Sequence, residues 1–322
     1  MNTKLLWLTV FLLACLRLAE AQQAKESRIA VIGAPEEPRF SEVVVGIKNG
    51  LGDLGYKPQS YVIREVKIPR SEEKTAKSKI EELLQWRAQV LFLIGSRLLK
   101  PVREVSAELP VVFITPGDPV AAGLVASLAR PGGNTTAMTF EYPELSGKRL
   151  ELMKELAPKV RRILTLYDSR DPSPRQGVLA ARQAATELGL TLIEREARGD
   201  EEFRRAVKAM DEADAYLSVP GGFPTGFYNE ITRLTNAKRL PSIFHARMAS
   251  TADALASYGT SDVQIAEEAA HLINKILKGT NAGELPVERP TKFELVINLK
   301  TAKQIGITIP PNVLARADRV IK

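Results

Sequence analysis

From Arg28 onward, short apolar runs rich in β-branched residues alternate with longer segments whose apolar positions recur every three or four residues. The first pattern suits a strand covered on both faces, and the second a helix with one dry face. Arg28–Gly33 predicts a strand, followed by a helix over 40–54 and a second strand over 61–66. A charged amphipathic helix over 71–86 leads to a strand at 90–94, which ends in Gly95-Ser96, and 111–115 makes a fourth strand. Pro131-Gly132-Gly133-Asn134 concentrates turn formers, after which the alternation restarts. Helices are predicted over 144–156, 175–188, 201–210 and 226–239, and strands over 162–167, 191–196, 215–219 and 242–245. A short strand at 254–258, a strongly amphipathic helix at 263–277 and a late strand at 293–298 complete the reading.

Strand-helix alternation of this kind builds parallel sheets with crossover helices. A chain of 322 residues accommodates two cores of roughly 100 to 200 residues each. The expected fold class is therefore α/β, with two Rossmann-like lobes joined by a hinge. An N-terminal lobe is expected over 28–138 and a C-terminal lobe over 139–257, with about 260–288 returning to the first and about 291–322 to the second. Ligands of open α/β sheets settle beyond the carboxyl ends of strands, and pockets favour domain interfaces. The loops after the strands are thus the candidate site.

The formal charge of +7 comes from Lys and Arg interspersed with Asp and Glu, which describes a solvated surface and no nucleic-acid stripe. At the N-terminus, Lys4, the apolar run Leu5–Leu13 and Ala19-Glu20-Ala21 read as a signal peptide over 1–21. That run is well short of the ~20 residues that span a bilayer as a helix. Cys15, the one cysteine, follows Leu12-Leu13-Ala14, which resembles a lipobox. Lipidation at Cys15 and simple cleavage after Ala21 both stand as readings, and neither leaves a disulfide in the mature chain.

The chain carries no phosphate-cradling G-x-x-x-x-G-K-[ST], no G-x-G-x-x-G after Ile32 and no G-x-S-x-G nucleophile elbow. His245 and His271 are 26 positions apart, and neither thiols nor spaced carboxylates supply a metal site. The expectation is a binding protein without catalytic residues, cofactor, metal or nucleic-acid partner.

Candidate contacts follow from the strand ends. Asp118 lies between Gly117 and Pro119 after the fourth strand; it either faces a ligand ammonium or caps a helix beginning at Pro119. Ser96 offers a hydroxyl or a cap, and Tyr258 an aromatic face with a hydroxyl or a core ring. Pro220, Gly221 and Phe223 follow a second-lobe strand and bring backbone and a ring near the cleft. His245 ends a strand on the cleft side; Phe40 and Asp168 complete the ring of loops, while Arg39 is expected to face solvent.

The run from Pro116 to Thr136, which reads PGDPVAAGLVASLARPGGNTT, resembles the ABC transporter substrate-binding family that includes tryptophan and tyrosine binders. The segments ELSGKRLEL at 144–152 and PTKFELVINLKTAK at 290–303, and the ending Ile309-Pro310-Pro311, are similar to further signatures of that family. The resemblance spans nearly the whole mature chain. It implies a type-I periplasmic binding protein fold and a role as the extracytoplasmic, periplasmic solute-binding component of an importer, either soluble or lipid-anchored through Cys15. It further implies a small organic ligand, with aromatic and other amino acids among the candidates, a membrane permease partner with a separate ATPase, and a monomeric state. A receptor subunit that docks on a membrane kinase or chemoreceptor is the alternative, because fold does not fix function. The chain departs from the family at Asp168-Ser169-Arg170-Asp171-Pro172, where relatives carry Asn-Pro, and at Asp253, where relatives often carry glycine. Both departures bear on the ligand more than on the fold.

Overall fold

The computed structural model describes residues 26–35, 39–69, 75–115, 117–140, 144–168, 172–220, 225–245 and 253–322. The segment carrying Cys15 and the expected signal peptide lies outside these residues. The first sheet runs β2-β1-β3-β4-β5, all parallel, from β1 (Ser27–Gly33), β2 (Tyr61–Lys67), β3 (Val90–Ile94), β4 (Val111–Thr115) and β5 (Thr135–Thr139). Its central strands are apolar throughout because both faces are covered. Ile29 and Val31 join Phe92, Val112 and Ile114 in one core cluster, whereas Ala30 and Ile32 join Leu91, Leu93 and Phe113 in another. Helices α1 (Phe40–Asp53), α2 (Ala76–Gln85) and α3 (Leu99–Val105) connect the strands.

The second sheet has the order β12-β11-β10-β9-β8-β6-β7, built from β6 (Arg162–Tyr167), β7 (Thr191–Glu196), β8 (Ala215–Leu217), β9 (Ser242–Phe244), β10 (Ala256–Gly259), β11 (Glu294–Asn298) and β12 (Arg319–Ile321). Helices α4 (Glu144–Leu156), α5 (Pro172–Glu187), α6 (Asp200–Ala206) and α7 (Thr225–Ala237) accompany it. Again the strands feed two cores, with Ile163, Leu217 and Ile243 on one side and Leu164, Tyr216 and Phe244 on the other.

After β10 the chain leaves this sheet. Helix α8 (Asp262–Leu277) contributes Ile265, Ala269, Leu272 and Ile273 to the first-sheet core. It lies against α1 so closely that a Cβ on Gly46 would stand 2.1 Å from the Val263 carbonyl oxygen, and one on Gly50 2.5 Å from that of Glu267. Ala266 and Ala270 complete the small-residue seam. Ser261 starts α8 by accepting the Gln264 N–H through its hydroxyl at 3.2 Å. The chain then returns through a turn at 282–284 to β11, which pairs antiparallel with β10, and ends with α9 (Leu299–Ile305), α10 (Pro311–Leu314) and β12. On the way back Glu288 bridges Met138 of β5, so the returning connection lies against the strand from which the chain first crossed.

The segments that carry the family resemblance are structural where they are described. The Gly132 amide donates to the Gly283 carbonyl at 3.1 Å, Asn134 donates to the Glu108 carbonyl, and Gly283 packs where any Cβ would stand 2.1 Å from the Gly133 oxygen. This turn fastens the end of the first sheet to the returning chain. Likewise Asn298 caps α9 by accepting from the Thr301 amide at 3.0 Å.

Several elements depart from the sequence reading. The helix expected from Pro119 is a succession of turns, because Gly123 adopts φ 68° and the chain reverses there. Strand β10 begins two residues later than expected and pairs antiparallel with β11, since the chain re-enters the sheet from the opposite direction. β5 lacks the apolar signal of a buried strand, yet all five of its residues are buried; Thr136 satisfies its hydroxyl on the Leu285 carbonyl at 2.9 Å.

The α1–α8 seam makes a direct prediction. Gly46→Ala should destabilise the fold by roughly 1–3 kcal/mol or more, because backbone must move to admit the methyl group. Gly52→Ala on the same helix, with nothing within 4 Å of its Cβ position, should be neutral or stabilise by about 0.5–1 kcal/mol. Urea unfolding midpoints of the two variants test the contrast.

Candidate functional site

The carboxyl ends of both sheets converge where the chain crosses between them, and the polar groups buried there form one constellation. Its centre is Arg149. The position follows Leu145 and precedes Leu152 and Leu156 on the apolar phase of α4, so the guanidinium is driven inward with the leucines, to 0% exposure. Inside, its Nε donates to the Tyr258 carbonyl at 2.8 Å and its Nη2 to the His245 carbonyl at 3.1 Å. One side chain therefore ties α4 to the ends of both β9 and β10.

His245 follows β9 and is 7% exposed. Its Nδ1 shares a hydrogen bond with the Ser218 hydroxyl at 2.9 Å, at the end of β8, and its ring lies 5.7 Å from that of Tyr228 in α7. Burial, then the charge of Arg149, then that of Arg39 hold its pKa down at about 3, so the imidazole is neutral at physiological pH. That Arg39, from the first lobe, acts on His245, from the second, places the two ends of the constellation within electrostatic reach of each other.

Arg39 immediately precedes α1, and its side chain is 20% exposed, which corrects the expectation that it faces solvent. The seam between α1 and α8 sets their first turns side by side, which brings Arg39 Nε to 3.2 Å from Asp262 Oδ1. The guanidinium carbon also stands 5.2 Å from the ring centre of Phe140, the residue that leaves β5 for the second sheet. Thr260, Ser261 and Asp262, where the chain crosses from β10 into α8, are all buried.

The residues singled out from sequence divide into groups. His245 sits inside the constellation, and Tyr258 joins it through its carbonyl, while its ring packs on the second-lobe core 6.1 Å from Phe293. Asp118 is exposed, and its Oδ1 accepts from the amides of Val120 and Ala121 at 2.8 and 3.3 Å, so it organises the turn that replaces the expected helix. Ser96 is half-buried beyond β3; its carbonyl accepts from the Leu99 amide, and Leu98 holds the cap position of α3 that Ser96 was expected to take. Asp168 is half-buried at the end of β6. Pro220 is buried against Gly177 of α5, which would place a Cβ 3.1 Å from the proline ring. Phe40, expected at the cleft wall, lies in the first-lobe core at 3% exposure with its ring against Gly33. Gly221 and Phe223 lie outside the described residues.

Sequence reasoning passed over Arg149 and Asp262. The signal for the first was a charge on the leucine phase of an amphipathic helix; the second was hidden because Asp after Ser261 reads as an ordinary first-turn acid. Among the described residues no cluster of His, Cys, Asp and Glu has the arrangement of a metal site, and no helix is long and apolar enough to cross a membrane.

Comparison with known proteins agrees with this architecture. A family model described as ABC transporter substrate binding protein matches residues 28–321. A tyrosine-binding protein of Clostridioides difficile is 23% identical over 284 residues, covering 88% of this chain and 82% of that one. The ABC domain from Streptococcus pneumonia crystallised with L-Trp superimposes with a TM-score of 0.78 at 24% identity, over 92% of this chain and all of the other. A conserved domain protein of Vibrio cholerae gives the same TM-score at 26% identity, again over 92% of this chain and 100% of its own. These are two-lobed α/β proteins of the type-I periplasmic binding class.

Two outcomes follow from the buried network. Arg149→Leu strands two buried carbonyls and should lower stability by about 2–5 kcal/mol, measured by urea unfolding. His245 has a folded pKa of about 3 against 6.5 when exposed, so between those values the unfolded chain binds more protons at this group. Its stabilisation is complete above about pH 6.5 and drains away as pH falls towards 3, on the order of several kcal/mol over the window. The melting temperature should fall on acidification through that range, and less steeply in His245→Asn; equal slopes would refute the assignment.

Proposed function

This chain belongs to the ABC transporter substrate-binding protein family, and from that premise we propose that it receives an amino acid, aromatic ones foremost, in the cleft between its sheets. Members of the family work outside the cytoplasmic membrane, by binding and release without chemistry, in partnership with an ABC permease. The observation that carries the ligand reading is the convergence, at the carboxyl ends of both sheets, of a guanidinium from one lobe with a neutral imidazole, hydroxyls and aromatic rings from the other. A charge set beside flat apolar groups, opened to a solute when the lobes part, would match what an aromatic zwitterion presents. The names of two relatives, one a tyrosine binder and one crystallised with L-Trp, favour the same class.

In this reading, closure of the lobes around the solute removes it from water, and the closed form is the one the permease recognises. A single chain suffices for the cleft, in keeping with a monomer. Attachment through lipid on Cys15 would hold the receptor near its permease and belongs to the same proposal.

A ligand that binds only the folded state stabilises it by about 2.7 kcal/mol at one hundred times its Kd. Ligand-stripped protein should therefore melt several degrees higher with L-tyrosine, L-tryptophan or another amino acid, and not with sugars or nucleosides. A shift confined to sugars or nucleosides would replace the amino-acid reading.

A further inference from the structure

Arg39 has two adjacent donors buried without a hydrogen bond, where Arg97 and Arg149 each have one, Nη1. Its Nε and Nη2 are shielded from solvent, and neither makes a hydrogen bond. Asp262 Oδ1 is 3.2 Å from Nε yet off the N–H axis, so the pair neutralises charge without satisfying either donor. A buried donor left unmet costs free energy, and more when it carries charge. A guanidinium held in that condition needs a structural reason, and packing supplies none. The exposed side chains that precede other helices reach water, whereas this one is pinned between Asp262 and the Phe140 ring.

The two donors in question form one edge of the guanidinium. Nε–H and Nη2–H point the same way, at the spacing of the two oxygens of a carboxylate, and Arg is the side chain suited to that two-point contact. The Phe140 ring centre stands 5.2 Å from the guanidinium carbon and Asp262 Oδ1 3.2 Å from Nε, off the N–H axis, so the group is held between them before any ligand arrives. Location agrees: Arg39 follows β1 at the carboxyl end of the first sheet, and its charge is felt at His245 in the other lobe.

We propose that the Nε/Nη2 edge of Arg39 is the receptor for the ligand's carboxylate, which would complete the two hydrogen bonds the folded protein leaves unmade. This rests on the reading of the cleft as an amino-acid site and adds to it the residue that selects acids over their neutral derivatives. Arg39 thereby becomes a specificity-determining group of the first lobe, and closure against the second lobe buries the new ion pair.

The test is calorimetry on ligand-stripped full-length protein and its Arg39→Gln and Arg39→Lys variants, each first checked for a native far-UV spectrum and a cooperative melt. The probes are the standard amino acids, L-tyrosinamide, L-tryptophanamide, and indole-3-propionate, a carboxylate without an ammonium. The wild type should prefer the acid to its amide by about 100-fold, as expected for two charge-assisted hydrogen bonds. Arg39→Gln should erase that preference, and Arg39→Lys, which keeps the charge and loses the edge, should retain about a tenth of it. Acid and amide bound alike by the wild type, or an unchanged preference in Arg39→Gln, would overturn the inference while leaving the amino-acid site standing. Binding of indole-3-propionate alone, lost in Arg39→Gln, would uphold Arg39 and retire the amino-acid reading. Binding of no carboxylate by the wild type would overturn the inference outright.

Discussion

The arrangement of this molecule depends on the contact between α1 and α8, two helices more than two hundred residues apart in the chain. Backbone meets backbone because Gly46 and Gly50 face the carbonyl oxygens of Val263 and Glu267 with no Cβ between them. Dispersion attraction falls off steeply with distance, so a seam of glycine and alanine lets two helices gain contacts that larger residues would hold apart. This seam recruits the late helix to the first sheet. It also sets the start of α8 beside the start of α1, so that Asp262 meets Arg39. The position of the Arg39–Asp262 pair is thus a consequence of two missing side chains about two and three turns along α1.

The second lobe solves a different problem, that of joining strands whose carboxyl ends must stay open to a ligand. The backbone carbonyls that follow β9 and lie within β10 cannot all be met by neighbouring strands. Arg149 meets two of them from inside the core, and its charge in turn helps keep His245 neutral. A buried arginine bonded to carbonyls is a rigid brace more than a source of stability, since desolvating the charge offsets much of what its hydrogen bonds contribute.

The strands and main helices were legible in the sequence wherever burial on both faces wrote continuous apolar runs, as in Val90–Ile94 and Val111–Thr115. β5 escaped because its burial is shared with the returning chain: Thr136 reads as polar until Leu285 is beside it. α3 escaped because it is short and contains Pro101, although proline in a first turn removes no helical hydrogen bond. The site was less legible than the fold. Strand-end reasoning drew attention to His245 and Tyr258, whose carbonyls meet Arg149, and to Phe40, whose ring packs in the core beside Gly33. Arg39 and Asp262 depend on the register between distant helices, and no local pattern records that.

The interleaving of the chain has a bearing on its biogenesis. The first core lacks α8 until residues 262–277 exist, and the second sheet lacks an edge until Arg319–Ile321 have been made. Neither half can mature as a nascent unit emerging from the ribosome, because each waits for sequence near the C-terminus. A polypeptide so constructed completes both cores only when synthesis is almost finished, and a chain whose cores are incomplete is easier to thread through a membrane pore than a folded one.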